Sequence, residues 1–120
     1  MLDYLKTQSR RVGNAFFFSI DGFRATLRED PAVQQWIAFA VVFTPVGIWL
    51  GSDGVERAVL AGSVLMILLV ELINTAIETT IDRISLERHP LSKKAKDIGS
   101  AMVLLAFCIT CLIWALVLFT

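Results

Sequence analysis

Residues 58–82 read AVLAGSVLMILLVELINTAIETTID, and this stretch decides the fold. No charge interrupts it between Ala58 and Val70; then Glu71, Asn74, Glu78 and Asp82 break the apolar run at offsets of 0, 3, 7 and 11. At about 100° per residue those offsets fall on one narrow face of an α-helix. A helix crosses the hydrocarbon core of a bilayer with about 20 mostly apolar residues. This segment has that length, and the runs at about 36–51 and 98–119 supply two more spans. An ionised carboxylate at bilayer depth costs at least about 2.5–3.5 kcal/mol on insertion scales, so such groups face a protein interior and serve function. Counted from Arg57 at 1.5 Å per residue, Glu71 lies roughly 20 Å along the span, whereas Glu78 and Asp82 approach its far end. The polar stripe therefore runs from lipid to water.

The rest of the composition agrees. The 120 residues leave room for a single domain, and 56% of them are apolar, with a mean hydropathy of +0.68. That apolar share is well above the roughly 45–50% of soluble domains. The formal charge is zero, but nearly all charges sit in residues 1–31 and 82–97, with a few at 53–57. Lys6, Arg10, Arg11, Arg24 and Arg28 precede the first span, and Arg83, Arg88, Lys93, Lys94 and Lys96 crowd the second connection. By the positive-inside rule these regions are cytoplasmic, with the 52–57 turn and Thr120 outside. No cleavable signal peptide is expected, because Ala15 to Phe18 is too short for its apolar region. Cys108 and Cys111 form a C-x-x-C inside the third span, where they read as two small core residues rather than a redox pair.

Residues 3–28 mix charge with Tyr4, Leu5, Val12, Phe16, Phe17, Phe18, Ile20, Phe23 and Leu27. They are too polar to span and aromatic enough to lie on a bilayer, so an amphipathic surface helix is expected. Asp30-Pro31 ends it, since the residue before a proline leaves the α region while proline suits the first helical turn. The first span then starts near Pro31, with Pro45 and Gly47 as sites of a kink, and Gly51-Ser52-Asp53-Gly54 makes a tight turn. In the second connection Ser92 reads as the helix N-cap after Pro90. Gly99, Ser100 and Ala101 are small enough for another helix to approach closely.

A buried carboxylate, further acids toward the cytoplasm and a lysine cluster beside them suit transfer of a charged group onto a lipid headgroup. Phosphoryl transfer requires this inventory: hard oxygen ligands for magnesium, a base near the acceptor hydroxyl, and cations against the phosphate oxygens. Read singly, Asn74 serves packing as readily as chemistry, while His89 and the lysine run are weak signals. The chain has no G-x-x-x-x-G-K-[ST] loop, no protein-kinase signature and no zinc pattern, which excludes the soluble kinase folds.

Three segments carry a resemblance: Glu71-Leu72-Ile73-Asn74-Thr75-Ala76-Ile77-Glu78, then Asp82-Arg83, then Ala95-Lys96-Asp97-Ile98-Gly99-Ser100-Ala101. Together they resemble the bacterial diacylglycerol kinase family, which includes undecaprenol kinases, and the similarity extends without a gap from about Arg11 to Trp114. The resemblance implies an all-α membrane protein, residues 1–120 forming one membrane domain. Its surface helix (1–30) and three transmembrane helices (about 32–51, 58–81 and 98–119) would assemble as a homotrimer in the bacterial inner membrane. It further implies an ATP- and magnesium-dependent enzyme that phosphorylates the hydroxyl of diacylglycerol to phosphatidic acid. In that reading Glu71 is the catalytic base. Glu78 and Asp30, with Glu29 adjacent to the latter, hold magnesium. Arg11, Phe18, Glu87, Arg88, His89, Lys96 and Asp97 line the nucleotide, and Arg11, Arg24, Glu71, Asn74 and Ser100 meet the lipid. Undecaprenol is the alternative acceptor, although Trp49 and Ile113-Trp114 resemble the Gram-negative branch and favour diacylglycerol. A non-enzymatic membrane subunit, with Glu71 carrying protons, is a reading of a different class that ATP turnover would separate.

Overall fold

The computed structural model describes residues 1–120 as four helices: α1 (Leu2–Glu29), α2 (Pro31–Leu50), α3 (Gly54–Ile84) and α4 (Pro90–Phe119). Each boundary follows from local chemistry. Asp30 is the single residue between α1 and α2, in an extended conformation (φ −114°, ψ 102°) that Pro31 imposes on its predecessor. The turn into α3 is closed from both sides. The Glu56 N–H donates to Asp53 Oδ1 at 2.9 Å, and Glu56 Oε2 accepts from the Ser52 N–H at 2.7 Å, a variant of the reciprocal capping box. Gly51 is obligatory in that turn, because a Cβ there would lie 2.6 Å from Arg57 Cγ and 2.7 Å from the Arg57 backbone nitrogen.

The start of α4 differs from expectation. Its N-cap is His89, whose Nδ1 accepts the Leu91 N–H at 3.0 Å, and Pro90 occupies the first helical position. Ser92 is already inside the helix. Pro90 lacks the N–H that would need capping and has its φ preset for a helix, so it starts the helix earlier than the serine signal suggests. Pro45 lies within an unbroken α2. Cys108 and Cys111 are both exposed on α4, so the expectation of core residues fails: they lie on the face of α4 turned away from α3 and α2.

α3 is the central helix, packed against α2 on one side and α4 on the other. Its buried seam contains Leu60, Val64, Ile67, Glu71 and Asn74, alternating steps of four and three residues, the spacing that keeps one stripe against a neighbouring helix. Val33, Ala40 and Gly47 answer it from α2, one every seven residues. At Gly47 the two backbones pass so closely that a Cβ would lie 3.1 Å from Leu60 Cβ, the small-residue contact typical of membrane helices. On the other side Thr110 Oγ1 donates to Ser63 O at 3.0 Å, and the Trp114 indole N–H reaches Leu60 O and Ser63 Oγ, each at 3.2 Å. Trp36, Phe39, Phe43, Phe107 and Trp114 pack together, edge-on or tilted, between α2 and α4.

Only 14 of 120 residues are buried, while Leu65, Leu69, Leu104, Leu105, Leu112 and Leu116 are each about half exposed or more. An apolar surface of that extent is untenable in water and suits hydrocarbon. Three of the helices, α2, α3 and α4, are long and apolar enough to cross a membrane, and the chain is a multi-pass membrane protein. α1 has no buried residue and packs chiefly against the beginning of α2, where Gln34 Nε2 donates to Leu27 O at 2.8 Å. The radius of gyration, 18.1 Å, exceeds the roughly 14 Å of a close-packed chain of this length because α1 does not fold back over the bundle.

Candidate active site

Glu71 and Asn74 lie in the packing seam itself, continuing the line of Leu60, Val64 and Ile67. Both are 5% exposed, and Thr75 beside them is 6% exposed. The seam thus changes from apolar to polar partway along α3 without leaving the interior. Glu78, one turn further, is half-buried, and Asp82 is exposed. The sequence predicts this progression from buried to solvated acids, and the structure has it.

The stripe is covered from both sides. α2 runs antiparallel to α3, which brings the Asp30 end of α2 to the same end of the bundle as Glu71 and Glu78, within electrostatic reach of Glu71. From α4, Lys96 Nζ donates to Asp82 Oδ1 at 2.7 Å and also lies in the field of Glu78. Lys93 pairs with Asp97 along the same helix at 2.6 Å. Asn74 Nδ2 donates to Glu78 Oε1 over a long 3.5 Å, and Asn74 Oδ1 is buried without a partner. Glu71, Asn74, Glu78, Asp30, Asp82 and Lys96 therefore form one group at the end of the bundle where α1 joins α2 and α3 joins α4.

A cavity of about 670 Å³ opens beside this group, lined by Asp82, Glu87, Arg88, His89, Lys96 and Asp97 among others. Its volume lies within the roughly 300–1,000 Å³ of small-molecule sites. Five of the residues expected around a nucleotide (Glu87, Arg88, His89, Lys96 and Asp97) share its wall. Arg11, Phe18 and Arg24 do not: they are exposed on α1 and line no part of it. Ser100 is likewise exposed and outside the cavity. The sequence puts Asp82 on the polar stripe but assigns it no individual role, and it gives Gly99 only a helix-packing role. The offset of 14 residues between Asp82 and Lys96 has no meaning until the α3–α4 hairpin is known.

The donor set suits magnesium held together with a nucleotide. No three His, Cys, Asp or Glu side chains converge within this chain. Magnesium in phosphoryl-transfer sites needs only one or two carboxylates, the phosphates and water supplying the rest. Glu78 on α3 and Asp30 at the start of α2 are two carboxylates at this end of the bundle, both in the field of Glu71.

The prokaryotic diacylglycerol kinase family profile matches residues 17–118. The chain is 44% identical to a diacylglycerol kinase of Pseudomonas aeruginosa over 113 residues, 94% of this chain and 92% of that one. It is 35% identical to a diacylglycerol kinase of Haemophilus influenzae over 116 residues (97% and 98%), and 36% identical to one of Escherichia coli over 110 residues (92% and 90%). With a matching profile across most of its length and relatives covered almost end to end, this chain belongs to the prokaryotic diacylglycerol kinase family, a family of membrane-embedded lipid kinases.

Proposed function

We propose that the chain phosphorylates the hydroxyl of diacylglycerol with ATP and magnesium, yielding phosphatidic acid. The observation that carries this reading is the polar stripe of α3, which leads from the buried Glu71 carboxylate through Asn74 and Glu78 to Asp82 on the wall of the charged cavity. Glu71 takes the proton of the lipid hydroxyl as its oxygen attacks the γ-phosphorus. The bond from γ-phosphorus to the bridging oxygen breaks and ADP leaves with that oxygen. Lys96, held by Asp82 at the cavity wall, faces the phosphate oxygens and offsets their charge. Glu78 and Asp30 would hold magnesium, which would supply positive charge against the phosphates. Arg88 and His89 border the nucleotide, with Glu87 and Asp97 available to its hydroxyl and amino groups.

Arg11, Phe18, Arg24 and Ser100 stay in the proposal as lipid- or nucleotide-facing groups supplied between protomers. A homotrimer explains why these residues miss the cavity of their own chain and why so much of α3 and α4 is uncovered. α1 lies on the cytoplasmic surface of the inner membrane, its basic residues toward anionic lipid, with the N-terminus cytoplasmic and the C-terminus periplasmic. Undecaprenol remains the competing acceptor. Transfer of labelled phosphate from ATP in mixed micelles, with diacylglycerol and undecaprenol offered together, tests the assignment. Labelled phosphatidic acid supports it, labelled undecaprenyl phosphate selects the other alcohol, and no lipid product refutes kinase activity.

A further inference from the structure

α4 packs on α3 at the level of the site through Gly99, the one buried residue at that end of α4. What approaches Gly99 is a side chain, not a helix backbone. A Cβ on residue 99 would lie 2.9 Å from Asn74 Cγ and closer still to Asn74 Oδ1. The Asn74 carboxamide therefore occupies the volume in which any other residue at 99 would keep its first carbon. By contrast, Gly62 on α3 has open space where its Cβ would be.

The seat confines the plane of the amide, and Glu78 selects which of its ends faces the carboxylate. Its nitrogen faces Glu78 Oε1 and its oxygen faces Gly99, buried without a donor. Turned over, the oxygen would meet the Glu78 carboxylate, acceptor against acceptor, so the observed orientation is the one electrostatics selects. The amide oxygen gains nothing from a hydrogen bond, and the long Nδ2 contact alone cannot fix the plane. Contact with Gly99 does.

We propose that Gly99 is a positioning residue: by leaving room for Asn74, it holds the carboxamide against Glu78 and so sets the Glu78 carboxylate for the metal. The inference rests on Glu78 being a magnesium ligand, as proposed above. Side chains that orient a ligating carboxylate typically change metal affinity by about 10–100-fold when removed. Gly99→Ala should displace the amide and act in the same way, without touching metal, nucleotide or lipid.

The test uses full-length protein in detergent with a non-hydrolysable ATP analogue, and reads Mn²⁺ binding by electron paramagnetic resonance alongside the magnesium dependence of turnover. Expected is a loss of Mn²⁺ affinity of about tenfold or more in Gly99→Ala and in Asn74→Ala, and no further loss when the two are combined. Wild-type Mn²⁺ affinity in Gly99→Ala, with affinity lost in Glu78→Gln, overturns the role of Gly99 alone. Wild-type affinity in Glu78→Gln overturns the metal assignment and this proposal with it. If Gly99→Ala does not fold, Asn74→Ala carries the test, since it keeps the glycine: weakened Mn²⁺ binding supports the proposal and unchanged binding overturns it.

Discussion

Glu71→Gln is the sharpest perturbation the structure offers, because glutamine keeps the shape of the side chain and removes only its capacity to accept the proton. A positioned general base contributes about 10²–10⁴-fold, so turnover should fall by that factor, equivalent to roughly 3–5 kcal/mol on the barrier. The fold should not suffer. Glu71 is 5% exposed, in the packing seam of α3, with Glu78 two turns further along the same stripe. A carboxylate at such depth is a burden of about 2.5–3.5 kcal/mol on insertion scales, and a neutral amide relieves much of it. The variant should therefore unfold in detergent at a temperature no lower than wild type while losing activity. Phosphate transfer and thermal unfolding measured on the same preparation check this. Turnover within about fivefold of wild type would remove Glu71 from the role of base, and loss of both activity and fold would show the carboxylate to be a packing element.

Other substitutions probe the frame around it. Gly51→Ala places a carbon against the Arg57 backbone and should destabilise the α2–α3 turn by about 1–3 kcal/mol, read as a lowered unfolding midpoint. Trp114→Phe deletes the indole N–H shared by Leu60 O and Ser63 Oγ. Its cost should be about 0.6–1.7 kcal/mol, the range of hydrogen bonds between membrane helices, with KM for both substrates unchanged. Lys96→Met leaves Asp82 unpaired and removes the cation at the cavity wall, so turnover should drop about 10²–10³-fold while KM for the lipid stays near wild type. A shift confined to the lipid KM would contradict the assigned site.

How much of this was legible in the sequence depended on whether the signal was carried by one helix or by two. The offsets of Glu71, Asn74, Glu78 and Asp82 are a property of α3 alone, and their common face was readable before any neighbour was known. The break at Asp30-Pro31 was equally local. Pairings between helices were not: Lys96 with Asp82, Asn74 against Gly99, and Gly47 against Leu60 depend on the antiparallel packing that sets which turns meet. The cysteines were misjudged for the same reason, since an apolar span does not reveal which of its faces is covered when lipid and protein interior are equally apolar. At His89 a local rule misleads, because proline's own preference for the first helical position outranks the serine signal.

Joining α1 to α2 through one residue has a mechanical consequence. On either side of Asp30 the backbone is committed: its N–H donates to Thr26 O at 2.9 Å and its carbonyl accepts from the Gln34 N–H at 3.1 Å. The joint is one residue long and hydrogen-bonded into both helices, which narrows the range of angles between α1 and the bundle. With α1 resting on the membrane surface as proposed, that angle acts as a depth gauge, suspending Glu71 at a set distance below the headgroups. One residue inserted at the joint would turn α1 by about 100° about its own axis, rolling its apolar side away from the lipid and releasing the bundle from its set depth, although no residue of the site itself had changed.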